Sequence, residues 1–311
     1  MACYVTLDGG TTNTRLYLVR EGRVLAEKKI PMGARNGADA LKAAIKSGLC
    51  ELLSDSKSTE DEICAIIASG MITSEYGLCN LPHITLPAGR SELRAAMQRA
   101  EFPEISALPW YFIRGVKSVG KTIEDTDVMR GEETELVGII DCDVDGALYV
   151  LPGSHSKHIS VDKDGRIVRF STMLSGELFA AVMQNTILRD AADFEHNTLV
   201  AERLTEGYEY CRSHGVNEAL FKTRILKNLF GASREECYSY LLGCVLCDEV
   251  ESILKRSEST VVIGGQKQFR EAISALLCKY GDKRVIALSD EDVAHSTALG
   301  AVKIFESRSR S

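Results

Sequence analysis

The chain has 311 residues, 45% of them hydrophobic and 26% charged, a composition typical of a globular protein with one large or two medium domains. Its formal net charge of −7 argues against nucleic acid or an anionic membrane as a partner, because both attract basic surfaces. No apolar run approaches the roughly 18 residues of a membrane span, and the chain opens without the pattern of a signal peptide, so we expect a cytoplasmic protein.

The first half of the chain is predicted to open with three strands and to continue with mixed helices and strands. Short apolar runs between turns predict strands at 3–8, 13–20 and 23–31. Apolar residues at helical spacing predict a helix over 38–53. The later predicted elements are a strand at 63–69, a helix at 91–100 capped by Ser91, a strand at 110–115 and a helix at 131–140.

The second half is predicted to start in the same way, with three strands inside 147–172. The elements predicted after them are helices at 175–188, 233–255, 268–280 and 291–307, and strands at 259–265 and 284–289. The ten cysteines are expected to be reduced. Cys237, Cys244 and Cys247 share one helical face without further zinc ligands nearby, which predicts a buried face.

An internal repeat relates the two halves. A shift of 143 residues places Gly10 on Gly153 and Gly22 on Gly165, so that the two glycines are 12 residues apart in both copies. The alternation of apolar residues around them also carries over. Two unrelated β-hairpins are the alternative, because such turns are common; the matched spacing favours a duplication. Asp8 corresponds to Leu151, so this acid occurs in one copy only.

The first turn, Asp8-Gly-Gly-Thr-Thr-Asn13, has the composition of a phosphate loop. Glycines allow backbone N–H groups to approach an anion, and threonine hydroxyls add donors. Asp8 at a strand end has the hard oxygen ligands that Mg²⁺ prefers. The alternative is an ordinary turn in which Asp8 and Asn13 bond to local backbone.

The matching turn, "PGSHSKH" (152–158), adds a positive charge at Lys157 that suits a terminal phosphate. Gly153 and Ser154 repeat the small and hydroxyl residues of the first turn. His155 is either a phosphate donor or a structural residue. Because His155 and His158 are three apart on a strand, they are expected to point to opposite faces, which argues against a two-histidine metal site.

Arg130, Glu132 and Glu133 stand at the start of a predicted helix. A kinase that phosphorylates a hydroxyl needs a carboxylate to accept the proton, and either glutamate is a candidate. The alternative is that both glutamates only complement the helix dipole. Arg130 is able to clamp a substrate carboxylate or to pair with a neighbouring acid.

Three further segments are weaker candidates. Gly264 and Gly265 lie between a strand and a helix, where a nucleotide can approach the backbone, although a plain β–α connection explains them equally well. Gly70 ends a strand, at the edge where open α/β sheets bind ligands. Glu177 follows Ser175 at a helix start, where N-capping is the favoured role.

The order of these motifs resembles a known family. The duplicated hairpins, the two phosphate loops and the glycine pair resemble the actin-like ATPase fold of sugar kinases, Hsp70 and actin. The segments LDGGTTNTR, ASGMITSEYG, VMRGEETELVG, LPGSHSKHI, TMLSGEL and HSTALGA resemble the 2-dehydro-3-deoxygalactonokinases over nearly the full chain. The family commonly has Trp at the position of Gly9 and Ser at that of Thr11, so this chain departs from the pattern there.

The resemblance implies an α/β fold of two similar ribonuclease-H-like lobes with mixed sheets and an interlobe cleft. Residues 1–141, joined by the last helix at 291–311, would form the lobe with the first phosphate loop and the sugar-acid site. Residues 142–290 would form the lobe with the second phosphate loop and the nucleotide site.

The implied activity is transfer of the γ-phosphate of ATP to the C6 hydroxyl of 2-dehydro-3-deoxy-D-galactonate, with Mg²⁺. The implied site residues are Asp8 for the metal; Gly10, Thr11, Thr12, Asn13, Gly153, Ser154, His155, Lys157, Gly264 and Gly265 for the nucleotide; Glu132 as base with Glu133 in reserve; and Arg130, Gly70 and Glu177 for the sugar acid. The alternatives are a kinase of another 2-keto-3-deoxy sugar acid, a non-enzymatic sugar-binding regulator on the same fold, and an ATPase. A homodimer is carried as a hypothesis.

Overall fold

The computed structural model describes residues 2–140 and 146–307, and the chain forms two compact units. The described residues of the first unit fall within Met1–Asp145, Val161–Phe170 and Glu291–Ser311. Those of the second fall within Gly146–Ser160 and Ser171–Asp290. The boundaries expected from the sequence place 161–170 in the second lobe. In the structure this segment groups with the first unit, where Ala88 and Ile167 exchange two backbone hydrogen bonds of 2.8 and 3.1 Å.

The strands of the described residues are β1 (Cys3–Gly9), β2 (Thr14–Arg20), β3 (Arg23–Ile30), β4 (Ala65–Gly70), β5 (Ile84–Thr85), β6 (Gln98–Ala100), β7 (Trp110–Phe112), β8 (Val116–Ser118), β9 (Asp127–Met129), β10 (Leu148–Leu151), β11 (Ser156–Val161), β12 (Ile167–Met173), β13 (Thr260–Ile263) and β14 (Arg284–Ala287). The α-helices are α1 (Ala38–Asp55), α2 (Arg90–Ala95), α3 (Glu132–Ile139), α4 (Ser175–Asn185), α5 (Ala201–His214), α6 (Val216–Phe230), α7 (Arg234–Leu254), α8 (Lys267–Tyr280), α9 (Asp290–Ala294) and α10 (Ser296–Glu306). None of these helices is long and apolar enough to cross a membrane.

The two main sheets share one strand order over five strands, and β6 adds a sixth strand to the first sheet. One has the order β3-β2-β1-β4-β7-β6 and the other β12-β11-β10-β13-β14. In each, the first strand of the repeat runs antiparallel to the second and parallel to a strand that follows much later: β1 pairs with β2 and β4, and β10 with β11 and β13. The predicted duplication is therefore confirmed at the level of the fold. A small sheet of order β5-β8-β9 was not foreseen.

Each unit has a core of its own. In the first, alternate residues of β1 and β2, such as Val5 and Leu16, pack with the apolar stripe of α1. In the second, α7 is buried along most of its length against the sheet and the neighbouring helices. Its start is fixed by a capping box, in which Ser233 Oγ accepts from Glu236 N at 3.2 Å and Ser233 N donates to Glu236 Oε2 at 2.8 Å. Cys237, Cys244 and Cys247 are buried on this helix, as predicted.

Several predicted elements were wrong in extent. The helix at 91–100 starts after a Gly89 cap, not at Ser91, and ends at Ala95. Residues 98–100 pair with β7 instead, because strand pairing at the sheet edge outweighs a weak local helix preference. The last helix divides at His295 into α9 and α10. The sequence interpretation did not assign α5 and α6.

Helices α3 and α10 approach each other through glycines. A Cβ on Gly300 would lie 1.9 Å from Thr134 O, and one on Gly138 would lie 1.9 Å from Ser296 O. Lys303 Nζ donates to Gly138 O at 2.9 Å across the same contact. On the sheet side, Phe305 packs edge-on against Tyr4 of β1, with ring centroids 5.4 Å apart. Helix α10 therefore fixes α3 relative to the face of β1 that carries Tyr4, Thr6 and Asp8.

We expect Gly300→Ala to destabilise the protein, although alanine is the better helix former by about 1 kcal/mol. The added methyl group forces the two helices apart, and overpacking of this kind costs about 1–3 kcal/mol. Urea unfolding measures the change. Thr297→Ala on the same helix is the control. If Gly300→Ala lowers the free energy of unfolding no more than Thr297→Ala does, the close contact is contradicted.

Candidate functional site

Three glycines bring the ends of β1, β4 and the start of α3 together in the first unit. Gly9 and Gly70 are register partners at the ends of their parallel strands. Gly70 has a φ of +81°, and a Cβ there would lie 2.6 Å from Gly9 O and 3.3 Å from Asp8 Oδ1. Gly131, with a φ of +114°, would place its Cβ 3.4 Å from Gly70 Cα. Because these positions carry no side chains, α3 starts directly beside Asp8.

Asp8 is the central acid of this group. Its side chain is 25% exposed and lies 3.7 Å from the Arg15 guanidinium. Burial raises the pKa of Asp8, the positive charge of Arg15 opposes that rise, and the negative charge of Glu132 adds to it. The negative charges of Asp8 and Glu132 are thus close enough to act on each other.

Hydrogen bonds hold the backbone of the turn after Asp8, and its threonine side chains are exposed. Gly10 N donates to Asn13 O at 2.8 Å, which closes the turn. Ala34 N donates to Gly10 O and Arg35 N to Thr11 O, each at 3.1 Å. The side chains of Thr11 and Thr12 are exposed. The turn thus offers exposed hydroxyl donors on a fixed backbone, as a phosphate loop requires.

The two glutamates at the start of α3 occupy different environments. Glu133 is fully buried, and its carboxylate accepts from Gly131 N at 3.0 and 2.8 Å and from Thr134 Oγ1 at 3.0 Å. Burial and the nearby charge of Glu132 raise the pKa of Glu133 to about 8. Glu132 is only partly buried, and its Oε2 accepts from Arg130 N at 3.0 Å. Glu133 therefore braces the turn, whereas Glu132 can be reached from solvent.

Arg130 holds a neighbouring segment of the first unit. Its Nη1 donates to Thr73 O at 2.6 Å and to Thr73 Oγ1 at 2.5 Å. Its Nη2 donates to Leu81 O at 3.1 Å and lies 3.4 Å from His83 Nδ1. The terminal nitrogens that would clamp a carboxylate bidentately are thus engaged within the protein. A role in binding a sugar acid stays a prediction.

The second predicted phosphate loop gathers its residues in the second unit. A Cβ added at Gly153 would meet open space, whereas one added at Gly176 of α4 would lie only 2.1 Å from Gly153 O. Glu177 N donates to Ser154 O at 3.0 Å. Gly265 has a φ of +63°, and a Cβ there would lie 2.2 Å from Pro152 O. Gly264 N donates to Val150 O at 2.9 Å. The glycine pair and the start of α4 thus flank this loop.

The charged groups of the second loop differ in exposure. His155 Nε2 lies 2.7 Å from Glu177 Oε2, and both side chains are at least half exposed. The capping role predicted for Ser175 and Glu177 was wrong, because Leu174 is the cap residue and Glu177 pairs with His155. Lys157 is buried, and its Nζ lies 3.3 Å from His155 O. His155 and His158 lie in different surroundings, His155 half exposed beside Glu177 and His158 buried beside Glu249, which agrees with the prediction that they do not share a metal.

Sequence reasoning missed two residues that shape these loops. Gly176 allows α4 to pack against Gly153. A glycine directly after a predicted helix start could have indicated this close approach. Glu249 is a carboxylate in the apolar face of α7, buried beneath the second loop, where it accepts from Ser156 Oγ. Its signal was an acid at a position where the helical spacing of α7 predicts an apolar residue.

A metal ion would rely on few protein ligands here. Within residues 2–140 and 146–307, no three or more His, Cys, Asp or Glu side chains gather in a group able to hold a metal. Asp8 fits Mg²⁺ in its chemistry, since its carboxylate is a hard oxygen donor beside exposed hydroxyls, and Mg²⁺ usually binds one or two carboxylates and keeps several waters.

The raised pKa of Glu133 predicts a pH-dependent stability. Between its ordinary pKa of 4.5 and its folded value of about 8, the folded protein binds more protons at this site than the unfolded chain. The stabilisation is complete below the lower value and is lost as pH rises through the upper one. We therefore expect Glu133→Gln to flatten the fall in thermal midpoint between pH 5 and 8, relative to wild type. The exposed Glu124→Gln is the control; identical pH profiles for wild type and Glu133→Gln would contradict the burial of this proton.

The sequence profile of the family described as 2-keto-3-deoxy-galactonokinase matches residues 8–299. The chain is 24% identical over 284 residues to the 2-dehydro-3-deoxygalactonokinase of Escherichia coli (strain K12), covering 89% of this chain and 91% of that one. It is 29% identical over 266 residues to the Rhizobium meliloti (strain 1021) protein "Probable 2-dehydro-3-deoxygalactonokinase DgoK1", covering 82% of each.

Solved structures agree with this relationship. A Sinorhizobium meliloti protein described as a 2-dehydro-3-deoxygalactonokinase superposes with a TM-score of 0.78 and 26% identity, covering 98% of this chain and 100% of that one. The Clostridium difficile activator of 2-hydroxyisocaproyl-CoA dehydratase, with bound ADPNP, has a TM-score of 0.55 and 14% identity over 97% of this chain and 93% of that one, and shows the shared fold alone. The chain therefore belongs to the 2-keto-3-deoxy-galactonokinase family of phosphotransferases that act on an alcohol group, and it has the actin-like ATPase fold.

Proposed function

We propose that this protein transfers the γ-phosphoryl group of ATP to the C6 hydroxyl of 2-dehydro-3-deoxy-D-galactonate. The observation that carries the proposal is the convergence of Asp8, the Gly10–Asn13 turn and Glu132, within a chain that belongs to the family. These groups supply a hard acid, exposed hydroxyl donors and a second, accessible acid, the set that phosphoryl transfer to an alcohol requires.

In this proposal Glu132 is the general base. It accepts the proton of the sugar hydroxyl as the hydroxyl oxygen bonds to the γ-phosphorus, and the bond from phosphorus to the β–γ bridging oxygen breaks to release ADP. Its partial exposure and its proximity to Asp8 favour it over Glu133, whose carboxylate is buried and occupied by Gly131 and Thr134. Glu133 acts by holding the turn on which Glu132 stands.

The phosphate groups are assigned to the two turns. Asp8 would hold Mg²⁺, which when bound would neutralise phosphate charge during transfer, while Gly10, Thr11, Thr12 and Asn13 would bind phosphate oxygens. In the second unit Gly153, Ser154, His155 and Lys157 would bind ATP phosphates, with Gly264 and Gly265 beside its nucleoside. The exposed pair of His155 and Glu177 is weak, as surface pairs are, so His155 is able to exchange Glu177 for a phosphate.

The sugar acid is assigned to the first unit. Gly70 leaves the strand end open beside Asp8, and Arg130 would shape the site by holding Thr73 and Leu81 in place. Gly9 is the main reason to consider a second substrate, because the family commonly has Trp at this position. A Cβ at Gly9 would lie 2.7 Å from Ile72 Cβ, so a larger residue would displace the segment after β4. Another 2-keto-3-deoxy sugar acid is therefore the second candidate. The cytoplasmic location and the homodimer stay predictions.

A panel of sugar acids with ATP and Mg²⁺ tests the proposal. We expect ADP release and a phosphorylated product with 2-dehydro-3-deoxy-D-galactonate, and the product analysed by NMR should carry phosphate on C6. A clear preference for another 2-keto-3-deoxy acid would move the assignment to the second candidate. ADP release that does not depend on any acid would indicate an ATPase.

We expect Glu132→Gln to lower kcat by about 10²-fold or more, the typical effect of removing a general base. ADP affinity should change little, because the residue does not bind the nucleotide in this proposal. Steady-state kinetics and calorimetry measure the two quantities. Glu124→Gln, an exposed change outside the site, is the matched control, and wild-type turnover in Glu132→Gln would remove the base assignment.

Gly153→Ala isolates ligand contact from folding. A Cβ at this position meets open space and the backbone is not left-handed, so the thermal midpoint should stay near that of wild type. A phosphate bound against the backbone would clash with the new methyl group, so we expect ADP affinity to fall by about tenfold, or about 1.4 kcal/mol.

Gly176→Ala is the contrasting variant, since its Cβ would lie 2.1 Å from Gly153 O and should lower stability itself. Unchanged ADP affinity in a stably folded Gly153→Ala protein would show that phosphate does not approach this turn.

A further inference from the structure

A buried polar cluster lies beneath the second phosphate loop. Glu249 of α7 is 1% exposed, and its Oε1 accepts from Ser156 Oγ and lies 3.2 Å from His158 Nε2. Ser156 and His158 are themselves fully buried. Interactions with His158, Ser156 and Ser175 lower the pKa of Glu249 despite its burial. The Oε1 atom of Glu249 thus connects α7 to β11, whereas Oε2 has no hydrogen-bond partner within the described residues.

Burial of this polar cluster is unfavourable for folding. Removing a carboxylate from water is strongly unfavourable even after the protein relaxes, and a protein with apolar residues of similar size in its place is often as stable or more stable. Glu249 sits on a helix whose other buried residues are largely apolar. His158 adds a further cost, because its Nδ1 has no hydrogen-bond partner within the described residues. Stability alone gives no reason to keep an acid at this position.

The geometry of the loop supplies a reason. Side chains alternate along β11, so Ser156 and His158 face α7 while Lys157, between them, faces the other way. Holding Ser156 and His158 therefore fixes the backbone from which Lys157 and the preceding His155 project. The start of α4 is held to the same loop, because Gly176 packs against Gly153 and Glu177 N donates to Ser154 O.

We propose that Glu249 is a positioning residue for nucleotide binding, which holds the 153–157 loop and the start of α4 in the orientation that receives ATP phosphates. The proposal rests on the assignment of this loop to the nucleotide. In this role Glu249 does not touch the substrate; it acts through Ser156 and His158. A carboxylate suits this task because one of its oxygens contacts two side chains of β11 at once.

The test compares Glu249→Ala, Glu249→Gln and the exposed Asp248→Ala control on the same helix. We expect Glu249→Ala to weaken ADP binding by about tenfold or more, in line with the loss of hydrogen bonds to a charged group. The KM for the sugar acid should stay within about twofold, because the loss is confined to the nucleotide loop. Glu249→Gln keeps an acceptor oxygen and should recover most of the affinity, and Asp248→Ala should bind ADP like wild type.

Hydrogen exchange of the nucleotide-free protein gives a readout that does not depend on activity. We expect faster exchange in the 148–161 peptide of Glu249→Ala and wild-type exchange in β1 and β2. If Glu249→Ala does not fold, Ser156→Ala removes one of the bonds and should show the same changes at smaller size. Unchanged ADP affinity in the variants, or equal losses for ADP and the sugar acid, would overturn the proposal. If the wild-type protein binds ADP but phosphorylates no sugar acid, the proposed function fails. The ADP affinities of wild type and the Glu249 variants still test the role of Glu249 in that case.

Discussion

The first unit depends on one constraint: the start of α3 must reach the ends of two strands with no side chain between them. Gly70 and Gly131 meet this need, and both have backbone conformations that other residues adopt only under strain. Glu133 completes the arrangement, since its buried carboxylate accepts twice from Gly131 N. The buried Glu133 thus stabilises the turn that carries Glu132, whose charge acts on Asp8.

The two units show what a duplicated fold keeps and what it changes. Five strands follow the same order in both main sheets, and each unit presents a small-residue turn after its first strand. The surroundings of the turns differ. The first turn has an acid before it and a second acid near it, whereas the second has a buried lysine, an exposed histidine and a buried glutamate beneath. The shared topology places the turns, and the side chains around them make the two sites unequal.

Much of this architecture was predictable because it is encoded locally. The hairpins of both units follow from residues close in sequence, and the match at a shift of 143 residues relates them from the sequence alone. What failed depends on distant partners. Residues 98–100 form a strand because β7 offers an edge. The burial of Glu133, on a helix that packs against the distant α10, is likewise not visible in the local sequence. Glu249 was missed for the same reason, since only the fold brings it beneath Ser156.

The path of the chain has a consequence for synthesis. The first unit begins with β1, yet the helix that covers one face of β1 is α10, which starts at residue 296. The chain enters the second unit twice before it returns to supply this helix. A ribosome therefore releases the second unit's residues while the first unit still lacks α10, and β1 must await a helix that is made much later. Removal of α10 would thus damage the sheet that contains β1, and no single cut yields either unit whole.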